Sequence, residues 1–305
     1  MTDAGQPRLL IVSPVRNEAA HIERVIEGIA TQTVEPARWI VVDDASTDDT
    51  LSLLRAHERE LDILTVIARR PSADLDRSAD RLARAAAPRA FNAGLAHAGD
   101  LARYSHIMKL DGDIELPPHY LGELLAAFAA DPTLGLAGGV LVEEVDGRMV
   151  PIRIAPNHVH GALKCYSAAC FAAIGGMPEC LGWDTIDAAS ARMHGYATRH
   201  LPELVAVHHR QLGSADGTLR GHARHGECAY LAHFPAYWVV ARSARVGRRQ
   251  PRVLSGVAFM GGYARAALRR PPRVGGPELR RFVRRELRVR AWRETTGAVR
   301  GLVAR

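Results

Sequence analysis

WIVVDDASTDDTLSLL, residues 39–54, is an aromatic and β-branched run that stops on two carboxylates and passes directly into a helix-forming segment. Trp39 to Asp43 reads as a strand, because such side chains fit a pleated and buried surface. Ser46 or Asp48 can cap the helix that carries Leu51, Leu53 and Leu54. The same unit precedes it. Leu9 to Ser13 is a short apolar strand, and Ile22, Val25, Ile26 and Ile29 recur at helical spacing behind Asn17, which the pattern makes an N-cap. Further strands are predicted at Ile63 to Ala68 and His106 to Leu110, with helices around Phe91 to Ala98 and Tyr120 to Ala130. Alternating strands and helices through the first 140 residues predict an α/β fold. Its mostly parallel, doubly wound sheet has helices on both faces and binds ligands beyond the carboxyl ends of the strands.

The chain has 305 residues, of which 47% are hydrophobic and 24% charged, proportions that exclude a disordered chain. No apolar run reaches the roughly 18 to 20 residues of a membrane span, and the start lacks the basic region and apolar stretch of a secretory signal. Cys165, Cys170, Cys180 and Cys228 have neither metal-site spacing nor scaffold density, so they read as reduced thiols in a cytoplasmic compartment. The net charge of +7 is unevenly spread. Residues 242–305 hold 18 arginines against Glu278, Glu286 and Glu294, a balance of +15, which leaves −8 for residues 1–241. An acidic α/β domain over 1–241 with a basic helical extension over 242–305 is the expected organisation, the first part dividing into halves of about 8–140 and 141–241.

The strand-end rule singles out Pro14 to Glu18, Asp43-Asp44 and Asp111 to Asp113. No G-x-G-x-x-G follows the first strand and no G-x-x-x-x-G-K-[ST] occurs, so neither a standard dinucleotide fold nor a P-loop is supported. HIMKLDGD, residues 106–113, puts two carboxylates one residue apart after an apolar strand, with Gly112 letting the backbone bend between them. Hard cations such as magnesium or manganese take carboxylate oxygens and complete their shell with substrate phosphates. The pair therefore suits a metal-bound diphosphate.

PVRNE at 14–18, VVDDASTDDT at 41–50, RAFNAGL at 89–95 and KLDGD at 109–113 occur in an order that resembles the family-two inverting glycosyltransferases, built on the nucleotide-sugar-binding GT-A fold. The resemblance covers roughly residues 8–215. It implies that Asp43, beside Asp44, accepts a hydrogen bond from the nucleobase, and that Pro14, Arg16 and Glu18 line the nucleoside pocket. Arg89 and Asn92 would meet the donor from RAFNAGL, Asp111 would reach the ribose or the metal, and Asp113 the metal. A divalent cation, manganese or magnesium, would neutralise the diphosphate of the nucleotide-sugar donor as its glycosidic bond breaks.

An inverting transfer needs a base to deprotonate the acceptor hydroxyl. In GWDTIDAASARMHGY, Asp184 stands eleven residues before Gly195-Tyr196, where the family's base is found. Trp183 replaces the usual Glu, and Ile186 stands where the family has a second Asp, with Asp187 displaced by one. Asp187, three residues on and on the same helical face, is a rival base. LVAVHHRQLGS ends another apolar strand on His208, His209 and Arg210. His208 is a candidate third metal ligand, and Arg210 is expected near the diphosphate.

Residues 70–88 form an insertion, read either as a lid over the donor or as a packed helix. Val253 to Ala264 is an apolar stretch between arginines, too short to span a bilayer but long enough for an interfacial helix. An amphipathic helix with a dense arginine face follows around Leu279 to Arg290. An anionic membrane surface is the favoured partner of 242–305, ahead of a packed basic face. Nucleic acid is disfavoured, because no binding motif is present and the aromatics are scattered. The expected whole is a cytoplasmic enzyme, peripheral on the inner face of the cell membrane, with a glycan or lipid-linked acceptor. A nucleotidyltransferase would need a glycine- and lysine-rich N-terminal signature, and a non-catalytic scaffold of the same fold is the alternative the Trp183 and Ile186 departures leave open.

Overall fold

The computed structural model describes residues 7–70, 85–155, 157–210, 218–248 and 250–303, with backbone alone over 293–303. The chain forms two compact units, Met1–Gln211 and Leu212–Arg305. The division falls earlier than the change in composition at Arg242, because the helices on either side of that change pack against one another.

In the first unit β1 (Leu9–Val15), β2 (Arg38–Asp44), β3 (Leu64–Arg69) and β4 (His106–Leu110) run parallel. Between them lie α1 (Ile22–Ala30), α2 (Thr50–His57) and α3 (Ala86–Ala98). The sequence then adds β5 (Ile114–Glu115), α4 (Tyr120–Ala130), β6 (Leu134–Val145), β7 (Arg148–Pro151), β8 (Leu163–Ser167), α5 (Ala168–Ala173), α6 (Trp183–Met193) and β9 (Ala197–His208). The nine-stranded sheet runs β3-β2-β1-β4-β8-β6-β9-β5, with β7 paired to β6. Beyond β4 it becomes mixed: β8 is antiparallel to β4 and β6, and β9 is parallel to β6.

Successive residues of each inner strand enter opposite cores. Leu9 and Ile11 of β1, with Trp39 and Val41 of β2, pack with Ile22, Val25, Ile26 and Ile29 of α1. Leu10, Val12, Ile40 and Val42 pack with Ala90, Phe91 and Leu95 of α3. A strand buried on both faces reads as an unbroken apolar run, which is why β1 and β2 are so legible. At about 2 kcal/mol for each fully buried aliphatic side chain, the two clusters are the main source of the unit's stability.

Several boundaries differ from expectation. Asn17 does not cap α1, which starts at Ile22 behind His21. Asn17 instead adopts a left-handed backbone, φ 53°, and bonds to the next loop. Asp48 accepts from the Thr50 N–H at the start of α2, whereas Ser46 is spent on Asn17. The third helix begins at Ala86 rather than near Phe91. Most of the expected insertion, 71–84, lies outside the described residues.

The second unit is helical: α7 (Thr218–Leu231), α8 (Ala236–Val246), α9 (Leu254–Arg269) and α10 (Gly276–Val303). α7 and α9 cross at glycines. A Cβ on Gly226 would fall 1.9 Å from the Phe259 carbonyl oxygen, and one on Gly262 would fall 1.8 Å from that of Ala223. Arg273 lies over Tyr230 at 3.5 Å and Arg290 over Trp238 at 5.6 Å, so part of the arginine density is stacked within the unit. Among the described residues no helix is long and apolar enough to cross a membrane.

Candidate active site

Parallel pairing of β1 with β2 and β4 brings their carboxyl ends to one edge, so the loops after them share an opening. Two of these loops are stitched together. Asn17 N–H donates to Ser46 Oγ at 2.9 Å, Thr47 N–H to Asn17 Oδ1 at 2.8 Å, and Glu18 N–H to Thr50 Oγ1 at 2.8 Å. Arg16 donates to the Asp44 carbonyl at 2.6 Å. Much of the polar content of VVDDASTDDT and PVRNE therefore holds the two loops in register. Arg16 serves that register, and Pro14 is a β1 residue opposite Val42.

Asp43 is 2% exposed. Its Oδ2 accepts from the Ser46 N–H at 3.3 Å, while its buried Oδ1 has no hydrogen-bond partner. A buried carboxylate oxygen left unpaired is costly, and an incoming N–H donor would relieve it. Asp44 beside it pairs with Arg69 at 3.3 Å.

Past β4, the short antiparallel pairing of β5 with β9 sets His208 opposite Ile114 and so next to Asp113. His208 Nε2 lies 3.4 Å from Asp113 Oδ2, and Nδ1 lies 2.7 Å from Glu143 Oε1. Burial opposes protonation of His208, but the hydrogen bonds and charges of Asp113 and Glu143 outweigh it and hold the imidazole above its ordinary range. Burial likewise opposes ionisation of Asp113, yet His208 and Arg210 hold its carboxyl below the usual range. Glu18 completes the group. Gly112 lies against it, and Arg210 Nη2 reaches its Oε2 at 2.9 Å. Burial first, then the Asp113 charge, pushes the Glu18 carboxyl up to about 8. Glu18 thus lies at the acidic end of the site, against Asp113 and Arg210.

Glu143 is the arrangement that matters for a cation. An imidazole that donates Nδ1–H to a carboxylate presents the Nε2 lone pair, the orientation metal-bound histidines adopt. Asp113 and His208 are thereby suited to a hard divalent ion, although among the described residues no group of three or more His, Cys, Asp or Glu side chains converges on one point. Two protein ligands plus substrate phosphates is the usual way magnesium and manganese are held. Asp111 faces differently, with its Oδ1 taken by Lys109 Nζ. A cleft of about 540 Å³ lined by Glu144, Asp146, Met149, Val207, His208 and His209 opens beside this group.

The other carboxylates lie on α6. Lys109 and Lys164 stand opposite each other in the β4 and β8 register, both essentially buried, with the Trp183 ring 5.3 Å and 5.1 Å from their ammonium groups. Lys164 Nζ donates to Asp187 Oδ1 at 2.9 Å and to the Asp184 carbonyl at 2.8 Å, and Tyr166 also donates to Asp187. Asp187, with a side chain 0% exposed, is locked in the interior and is not placed to meet an acceptor. Asp184 is the carboxylate left accessible. It lies within the first turn of α6 behind Gly182, 35% exposed, with His158 Nε2 at 3.8 Å from its Oδ2. Burial pushes His158 down to about 4, with Asp184 opposing.

Asn92 donates to the Met177 carbonyl at 3.0 Å and to Glu179 Oε1 at 3.1 Å, and Arg89 lies 3.8 Å from Glu179. Both tie α3 to the segment before α6. Lys109, Glu143, His158, Lys164 and Tyr166 went unmarked in the sequence. A lysine inside an apolar strand, as in LKCYS, was the available signal, since a buried lysine demands a carboxylate.

The glycosyl transferase family 2 model matches residues 10–156, which hold PVRNE, VVDDASTDDT, RAFNAGL and KLDGD but neither Asp184 nor His208. No curated protein sequence matches the chain. Among solved structures, a mannosyltransferase from Pyrobaculum calidifontis in complex with GDP-Man and Mn2+ is 20% identical, with a TM-score of 0.55 over 98% of this chain and 81% of that one. TarS from S. aureus in complex with UDP is 14% identical, with a TM-score of 0.52 over 86% and 72%. GalNAc-T7 with UDP, GalNAc and Mn2+ is 13% identical, with a TM-score of 0.57 over 89% and 60%. Motif match and fold agree: residues 10–156 match the family 2 glycosyl transferases, and the fold is that of the GT-A enzymes.

Proposed function

We propose that the protein transfers a sugar from a nucleotide-diphosphate donor to an acceptor hydroxyl with inversion at the anomeric carbon. The observation that carries this reading is the contrast on α6, where Asp184 is 35% exposed and Asp187 is buried against Lys164 and Tyr166. Only Asp184 of the two has room to take a proton from an acceptor hydroxyl. Asp43 Oδ1 would accept the nucleobase N–H, a role open to uracil or guanine. Asp113 and His208 would hold manganese or magnesium, with Glu143 fixing the histidine tautomer. A bound cation would supply Lewis-acid stabilisation of the departing diphosphate. Arg210, held at 2.9 Å by Glu18 Oε2, adds positive charge at that end.

The neighbours that carry GDP-Man or UDP with Mn2+ support this donor class and this ion. The acceptor we infer is a glycan or lipid-linked glycan, and the enzyme would act on the inner face of a membrane. Calorimetric titration with UDP, GDP, CDP and dTDP, with and without manganese, tests the donor half. One nucleotide should bind in a manganese-dependent way, and Asp113→Ala should abolish the manganese dependence. Asp184→Asn should bind that nucleotide normally and lose about 10² to 10⁴ in turnover, the usual worth of a general base. Turnover that survives in Asp184→Asn would refute the assignment, and proton NMR of the product's anomeric configuration decides inversion.

A further inference from the structure

Helix α9 buries Ser255, Gly256, Phe259, Gly262 and Ala266 against its neighbours, and these lie on one face. The opposite face, with Val253 just before it, is Leu254, Val257, Gly261, Ala264 and Leu268. All are exposed and all are apolar or glycine. Leu268 is 85% exposed, Val253 69% and Val257 61%. At about 1.5 Å per residue the stripe runs on the order of 22 Å. Isolated exposed leucines are ordinary, but an apolar stripe of this length, bordered by Arg265, is a binding feature. On α8, Tyr237 and Val240 are also about half exposed.

The surroundings identify the occupant. Between Glu227 and Glu278 the sequence holds nine arginines and no acidic residue. Arg248 and Arg252 stand exposed before the stripe, and Arg265, Arg269 and Arg270 stand exposed along its end. Arg265 also reaches Glu227 at 3.5 Å. A second copy of the chain would set like charges against like. A nucleic-acid backbone would satisfy the arginines yet leave the stripe wet. We infer that α9 lies in the plane of an anionic bilayer, its stripe in the headgroup and acyl boundary and its flanking arginines on lipid phosphates. The helix enters from one side only, being too short and too broken by glycine to span.

Flotation of the full chain with phosphatidylcholine vesicles, with and without about 30% phosphatidylglycerol, tests the inference. The expected result is partition onto the anionic vesicles, weakened by high salt and slight on neutral ones. Val257→Glu with Leu268→Glu should lower that partition at least about tenfold, because each puts a charge at the apolar boundary. Both sites are exposed, so circular dichroism should be unchanged. Neither belongs to the donor site, so nucleotide titration reports the proposed activity independently. Absence of vesicle binding, or binding untouched by the two substitutions, overturns the inference. So does a self-association in sedimentation equilibrium that the same substitutions dissolve without any vesicle binding, since a second copy would then cover the stripe.

Discussion

At the scale of single residues, unsatisfied and over-satisfied carboxylates divide the labour. Asp43 carries a buried oxygen without a partner, so Asp43→Asn should weaken nucleotide binding at least about tenfold while the melting temperature stays level or rises. Calorimetry and thermal denaturation on the same sample read both. Asp187 is the opposite case. Its neutralising ammonium is Lys164, 2.9 Å away and wholly buried, and Lys164→Met should cost about 3 to 5 kcal/mol by denaturant unfolding. Lys164→Met with Asp187→Leu should recover much of it, because the stranded charge is then removed. His160 provides a pH test. Burial, first among the causes, pushes its imidazole down to about 4, so the unfolded chain binds the proton more readily between about 4 and 6.5. Stability should therefore fall as pH drops through that window, by about 2 kcal/mol at pH 5, and His160→Gln should flatten this slope in thermal melts.

Among elements, spacing decides which contacts form. The crossing of α7 and α9 depends on two positions with no side chain, since a Cβ at Gly226 or Gly262 would collide with main-chain oxygen that has nowhere to move. Gly262→Ala should force the helices apart and destabilise the helical unit by a few kcal/mol, with loss of cooperativity visible in helix circular dichroism on heating. β5 is only two residues long, yet its pairing with β9 brings His208 to Asp113. That pairing was invisible in the sequence, where Ile114-Glu115 is too short to announce a strand. The helical periods of α1 and α4 were legible because each buries a single wide apolar face. Asn17 misled as a cap because a side chain suited to capping is equally suited to the left-handed turn it occupies.

For the whole molecule, ligand linkage gives the broadest test. If donor and manganese bind the folded first unit alone, saturation at 100 times Kd should add about 2.7 kcal/mol and raise the melting temperature, and chelation should reverse it. In Asp113→Ala the manganese increment should vanish. The division of the chain into 1–211 and 212–305 predicts that thermal unfolding need not be two-state, and nucleotide should shift the transition of the first unit.

The sequence by itself determined the sheet's parallel half and the opening where chemistry is expected. Strands buried on both faces must be continuous apolar runs, and the polar residues that end them are local in the chain. It also marked Asp43, Asp113, Asp184 and His208, because each stands at a strand end or helix start whose type is readable from its neighbours. Only the tertiary structure decided which carboxylate was accessible. Asp184 and Asp187 are three residues apart on one helix, and their difference comes from Lys164 and Tyr166 on β8, a strand some twenty residues away. Glu143 beside His208 was hidden for the same reason, and of α9, already read as an apolar stretch between arginines, only the face left exposed had to await the packing. Burial and partnership are properties of the packed chain, set by contacts between segments whose separation in sequence carries no trace of them.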